Sequence, residues 1–130
     1  MTIAYVDSSA IIKLIIREAE SEALAAAMRT YDAHLTSDAA MVEVPRAVRR
    51  ARVDGGRITT RVLGRFASVT LDRQVIELAA ELEPSSLRSL DAIHIASAMS
   101  VEITDLVFIA YDRRCLDGAR RANLSTSSPT

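Results

Sequence analysis

Leu87-Arg88-Ser89-Leu90-Asp91-Ala92-Ile93-His94-Ile95-Ala96-Ser97-Ala98 is the stretch on which the fold turns. Ala92, Ile95, Ala96 and Met99 recur at i, i+3, i+4 and i+7, the spacing of one buried helix face. Ser89 stands where a helix N-cap is expected, and Asp91 falls in the first turn, where the helix dipole favours negative charge. The loop-forming Glu83-Pro84-Ser85-Ser86 comes just before. A carboxylate is therefore presented at the mouth of a largely apolar helix. Alone, this acid needs no role beyond supporting the helix start. Asp7, Glu43 and Asp112 are expected to be presented in the same manner, and a set of four asks for more.

Outward from this helix, strands and helices alternate. Thr2-Ile3-Ala4-Tyr5-Val6 and Leu106-Val107-Phe108-Ile109-Ala110-Tyr111 read as buried strands, ending at Asp7 and Asp112. Ala33-His34-Leu35-Thr36 and Val69-Thr70-Leu71 are shorter strand candidates. Helices are expected over residues 10–17, capped by Ser8-Ser9, over 20–31, from Ser37-Asp38 towards Arg52, and over 57–66. One more follows Asp72, and a last one runs from Arg113 to Ala122, closed by Asn123. Pro45 should kink or split its helix. The helix at 10–17 carries Ile11, Ile12, Leu14, Ile15 and Ile16, enough aliphatic surface for burial on two sides. Residues 125–130 are polar and read as a loose tail.

The pattern implies a mostly parallel sheet of four to five strands with helices on both faces, in one domain spanning 1–130. In such sheets, sites lie beyond the carboxyl ends of the strands. Asp7 and Asp112 land on that edge, and helices carrying Glu43 and Asp91 can lean over it. With 49% hydrophobic residues but 4% aromatic, the core must be aliphatic. A net charge of −1 excludes a global field for nucleic acid, so any such surface is local. Cys115 is the only cysteine, which rules out an intrachain disulfide and makes a reduced cytoplasmic setting the default. Neither a signal peptide nor a membrane span is expected.

Four converging carboxylates repel one another, and a divalent cation is the simplest offset. Hard oxygen ligands suit Mg²⁺ or Mn²⁺. Two such ions can drive phosphodiester hydrolysis. Zinc does not fit, because His34 and His94 have no ligand spacing with Cys115. His94 lies three residues beyond Asp91, so a hydrogen bond between the two is its expected role. Cys115 reads as a small buried hydrophobe.

Asp7 after the first strand, Val42-Glu43-Val44-Pro45-Arg46-Ala47, Leu90-Asp91-Ala92-Ile93-His94-Ile95-Ala96 and Tyr111-Asp112-Arg113-Arg114 together resemble the PIN domain. More narrowly they resemble the VapC-type toxins of bacterial toxin–antitoxin pairs, over essentially the whole chain. The resemblance implies a three-layer α/β/α fold and a Mg²⁺- or Mn²⁺-dependent endoribonuclease. It also implies a cognate VapB-type antitoxin and a homodimer. Asp7, Glu43, Asp91 and Asp112 match the family's catalytic and metal-binding acids. The family often carries Thr or Ser two residues before the last acid, where this chain has Ala110, so a hydroxyl near the second metal position is missing. Asp117 reads as a surface or supporting acid. A DNA or flap nuclease on the same site, or a weak enzyme acting mainly by binding RNA or a partner, are the alternative readings.

Arg46, Arg49, Arg50, Arg52, Arg57, Arg61 and Arg65 are crowded between residues 46 and 65 against one acid, Asp54. Arg57, Arg61 and Arg65 stand at i, i+4 and i+8, a spacing at which like charges cost about 0.2–0.5 kcal/mol per pair. An RNA backbone would offset that cost. Salt bridges to Glu18, Glu20 or Glu22, or to a partner protein, would do so equally. Glu43 could also pair with Arg46.

Overall fold

The computed structural model describes residues 1–130. Five strands form one parallel sheet: β1 (Ile3–Val6), β2 (Ala33–Ser37), β3 (Ala67–Val69), β4 (Leu106–Ile109) and β5 (Ser125–Ser127), in the order β3-β2-β1-β4-β5. All four pairings are parallel, with Tyr5 opposite both Leu35 and Phe108. Parallel neighbours require crossovers, and seven helices supply them: α1 (Ser8–Lys13), α2 (Ser21–Met28), α3 (Ala40–Arg50), α4 (Gly56–Leu63), α5 (Arg73–Glu81), α6 (Ser89–Ser100) and α7 (Arg113–Arg121).

Alternation along the strands builds two cores. Ala4 and Val6 pack with Ile11, Leu24, Met28, Val44, Val62 and Phe66 on the side of α1 to α4. Tyr5 and Phe108 pack with Ile95, Cys115, Leu116 and Ala119 on the side of α6 and α7. The result is the expected α/β/α sandwich. Gly118 lets α7 lie close to α6, because a Cβ there would sit 3.1 Å from both Ile95 Cδ1 and Leu87 Cδ1. This approach brings the starts of the two helices, and so Asp91 and Asp112, towards each other.

The chain leaves β1 in one direction, through β2 to β3, and returns to place β4 on the other side of β1. The crevice opened at that switch, beyond the carboxyl ends of β1 and β4, is where α/β sheets bind ligands. Asp7 and Asp112 follow those two strands directly or nearly so, and both serve as helix N-caps. Asp7 accepts from Ala10 N at 2.9 Å and Asp112 from Cys115 N at 3.0 Å. Asp72 caps α5 in the same way, from Val75 N at 3.0 Å. Asp72 lies outside the crevice, so Asp72→Ala should cost about 1 kcal/mol in urea unfolding, the usual worth of an N-cap.

Several local expectations are corrected. Asp7, not Ser8-Ser9, caps α1, and Arg88 occupies the N-cap position of α6 with Ser89 as its first residue. Ser37 is in β2, its hydroxyl accepting from Ala39 N at 3.0 Å. Helix α3 runs through Pro45 unbroken. The proline forfeits one bond, to Met41, while buried Val44 and Val48 fasten the helix on either side. The polar tail is not loose. It forms β5 on the edge of β4, and Ser128 Oγ and Tyr111 Oη donate to the carbonyls of Ala110 and Pro129 at 2.6 and 2.7 Å. Asn123 takes the left-handed conformation, φ 65°, that closes α7. No helix is long and apolar enough to cross a membrane.

Candidate metal centre

The structure brings Asp7, Glu43, Asp91 and Asp112 together. They line one cleft of about 160 Å³ with Ser8, Ser9, Arg88 and His94, and no hydrophobic side chain contributes. Each acid comes from a different element: Asp7 and Asp112 from the caps after β1 and β4, Glu43 from α3, and Asp91 from the first turn of α6.

Asp7 is buried and rigid. Its carboxylate accepts from Ala10 N and from Ser9 Oγ, the latter at 3.0 and 3.1 Å. Burial pushes this carboxyl above the usual aspartate range, the charge of Asp91 adds to the push, and His94 and the two donors only partly counter it. Asp91 is pushed up as well, by burial first and then by the neighbouring Asp112, with His94 and Arg88 opposing. Glu43 behaves otherwise. Burial pushes it up, but hydrogen bonds from His94 Nε2 at 3.0 Å and Ser8 Oγ at 2.7 Å outweigh burial and hold it below the glutamate range.

The donor set fits a hard divalent cation. Single oxygens of Asp7 and Asp91 lie within 4.8 Å of each other and of Cys115 Sγ. The thiol is buried, and burial together with the surrounding acids pushes it far up, so it remains a neutral, soft group unsuited to such an ion. Two carboxylates that the protein holds reluctantly charged are what a cation would relieve.

The bond expected between His94 and Asp91 is absent. His94 instead reaches Tyr5, Ser8 and Glu43, three residues remote in sequence. The pairing of Glu43 with Arg46 is absent too. Nothing in the sequence pattern points to Ser8, Ser9 or Arg88 as lining the site, and for His94 the one signal is that it shares a helix face with Asp91 at i+3. Ala110 is buried in the core and does not line the cleft, where the hydroxyls are those of Ser8 and Ser9. Asp117 lies at the surface, paired with Arg120 at 3.0 Å.

The arginines divide into two groups. Arg46, Arg49, Arg50 and Arg52 surround one surface depression. Arg46 and Arg50 also line a groove with Ser8, Ser9 and Glu43, continuous with the acidic cleft and flanked by Ile12, Val42 and Leu90. Arg57 and Arg61 lie on α4, but α4 ends at Leu63 and Gly64 caps it, so Arg65 falls beyond the helix, beside Arg29 and Phe66. The expected run of three on one helix is therefore broken. None of these arginines forms an ion pair. Glu18 and Glu20 are taken by Lys13 and Glu22 by Arg17.

Comparison with known proteins agrees with this geometry. The sequence model of the PIN domain matches residues 4–121. Ribonuclease VapC46 of Mycobacterium tuberculosis is 35% identical over 130 residues, covering 100% of both chains. Ribonuclease VapC47 of the same species is 35% identical, covering 96% of each. A toxin–antitoxin complex from Klebsiella pneumoniae superposes with a TM-score of 0.75 at 19% identity, over 98% of each chain. A buried Asp at the sheet's switch point, three further acids around it and end-to-end likeness to these relatives lead to one assignment: the chain belongs to the PIN-domain family, among the VapC ribonucleases.

Proposed function

We propose that this protein is a Mg²⁺- or Mn²⁺-dependent endoribonuclease, the toxin of a toxin–antitoxin pair, with Asp7, Glu43, Asp91 and Asp112 as its cation ligands. The observation that carries this reading is the gathering of four carboxylates from four elements in one polar cleft at the sheet's switch point. The relatives' name, ribonuclease, supports RNA as the substrate. The Klebsiella complex supports an antitoxin as the partner. The apolar rim of Ile12, Val42 and Leu90 offers a place for a second chain, whether antitoxin or homodimer partner.

A divalent cation held in this cleft, with Asp7, Glu43, Asp91 and Asp112 as its ligands, would supply Lewis acidity, polarising the phosphate and easing deprotonation of water. The protein's own groups do the positioning. Asp7 is fixed by its cap bonds and Glu43 by Ser8 and His94. Arg46 and Arg50 stand beside the cleft, free to grip phosphates on either side of the scissile bond through paired hydrogen bonds. Water adds to phosphorus in line with the departing 3′-oxygen, which takes a proton, leaving 5′-phosphate and 3′-hydroxyl ends. The direct test is sequencing of new 5′ ends in cellular RNA after induced expression, wild type beside Asp7→Asn. Discrete ends present only with wild type support the reading, and identical profiles overturn it.

The arginine groove has a separate test. In an Asp7→Asn background, Arg46→Gln with Arg50→Gln should weaken RNA binding and flatten the plot of log affinity against log salt by about 0.7 per lost phosphate contact on single strands. An unchanged slope assigns this rim to a protein partner instead.

A further inference from the structure

His94 is buried on the inner side of α6, and its ring joins groups from three other elements. Nδ1 lies 2.8 Å from Tyr5 Oη, and Nε2 lies 3.0 Å from Glu43 Oε1 and 3.0 Å from Ser8 Oγ. A carboxylate can only accept, so Nε2 carries the proton and donates. Nδ1 and the Tyr5 hydroxyl share the ring's other hydrogen bond. Tyr5 is itself immovable: it is fully buried in β1 and stacked on Phe108 with ring centres 5.4 Å apart and planes at 6°. Ser8 Oγ donates to the same Glu43 oxygen at 2.7 Å, and Oε2 takes no hydrogen bond from the protein.

Glu43 differs from the other acids in a way that calls for this clamp. Asp7 and Asp112 are immobilised by the backbone N–H groups they cap, and Asp91 is a short side chain on a packed helix. Glu43 has one more rotatable bond, makes no cap hydrogen bond and projects from the first turn of α3. We propose that His94, set in its ring orientation by Tyr5, is a positioning residue that with Ser8 pins Oε1 of Glu43 and so presents Oε2 to the cation. The inference rests on Glu43 being a cation ligand, as proposed above. Supporting groups of this kind typically change metal affinity 10–100-fold.

Mn²⁺ titration calorimetry on the metal-free full chain, without RNA, tests it on His94→Leu, His94→Gln, His94→Asn and Glu43→Gln. His94→Leu should weaken Mn²⁺ binding about 10–100-fold. His94→Gln puts an amide N–H where Nε2 was and should recover affinity to within about threefold of wild type. His94→Asn is too short to reach Glu43 and should resemble His94→Leu. Should the leucine variant not fold, the Gln–Asn contrast decides, since both are polar and only Gln reaches. Equal Mn²⁺ affinities for Gln and Asn, or a His94→Leu protein that binds like wild type, overturn the proposal. Long-range ¹H–¹⁵N spectra of the wild-type imidazole should show a proton on Nε2, and its absence also overturns it. Glu43→Gln separates the two claims. Wild-type affinity there removes Glu43 from the cation site altogether. Loss there beside unchanged His94 variants sinks the role of His94 alone.

Discussion

Asp7→Asn should abolish RNA cleavage while leaving the fold intact. The asparagine side-chain oxygen still accepts from Ala10 N, and asparagine is as good an N-cap as aspartate, so α1 keeps its start. What disappears is the negative charge at the most buried of the four acids. Loss of one group that stabilises developing charge in a transition state costs about 10²–10³-fold in rate, and a cation ligand should cost at least that. Asp91→Asn should behave alike. Because ligands of one site act as a unit, the double variant should be hardly worse than either single one. Asp117→Asn is the control, since Asp117 is exposed, paired with Arg120 and outside the cleft. Single-turnover cleavage with circular dichroism on each protein measures this. A folded Asp7→Asn or Asp91→Asn that still cuts RNA at the wild-type rate would falsify the site.

The parts of this molecule readable from the sequence are those where local pattern and tertiary role coincide. Strands β1 and β4 announce themselves as apolar runs closed by an acid, and the alternation of strands and helices forces those acids to one edge of the sheet. Asp91 was legible for a similar reason, the apolar spacing of α6 fixing which way its first turn faces. Where partners are remote, the pattern said nothing. His94 has a near neighbour at i−3, but its bonds go to residues 51 to 89 positions away. Strand β5 has no apolar residue to mark it. As an edge strand it is held by backbone pairing to Val107, Phe108 and Ile109, which any sequence can supply. The spacing of Arg57, Arg61 and Arg65 does not describe one helix face for a smaller reason: α4 ends at Leu63 with Gly64 at its C-cap, and Arg65 lies past it. A periodicity argument assumes that the helix continues, and nothing in the spacing of charges tests that assumption.

Removing metal should make stability fall as pH rises from about 4, and adding Mn²⁺ should reverse that loss. Burial raises the carboxyls of Asp7 and Asp91, so in this range the native state holds more protons than the unfolded chain, whose aspartates titrate near about 3.9. Stability then declines with pH, because its slope follows the protons bound by the unfolded state minus those bound by the native one. Their contribution is full below the unfolded value and is lost as pH climbs through the raised native ones. Glu43 works in the opposite sense, since its native value is lowered. Its contribution is present above about 4.3 and is lost as pH falls through the native value, a window lying below that of the two aspartates. Through Asp7 and Asp91 the metal-free protein should therefore lose stability between acid pH and pH 7. A cation that binds only the folded site adds about 2.7 kcal/mol at a hundred times its dissociation constant, which for a domain of this size raises Tm by about 10 °C. Asp91→Asn removes a charge its surroundings resist, so it should raise Tm in EDTA at pH 7 and shrink the gain from Mn²⁺. Thermal melts of wild type and Asp91→Asn, at pH 4.5 and 7 with EDTA or excess Mn²⁺, measure all of this. A wild type indifferent to Mn²⁺, beside a variant no more stable in EDTA, would mean that the four acids share a cleft without sharing an ion.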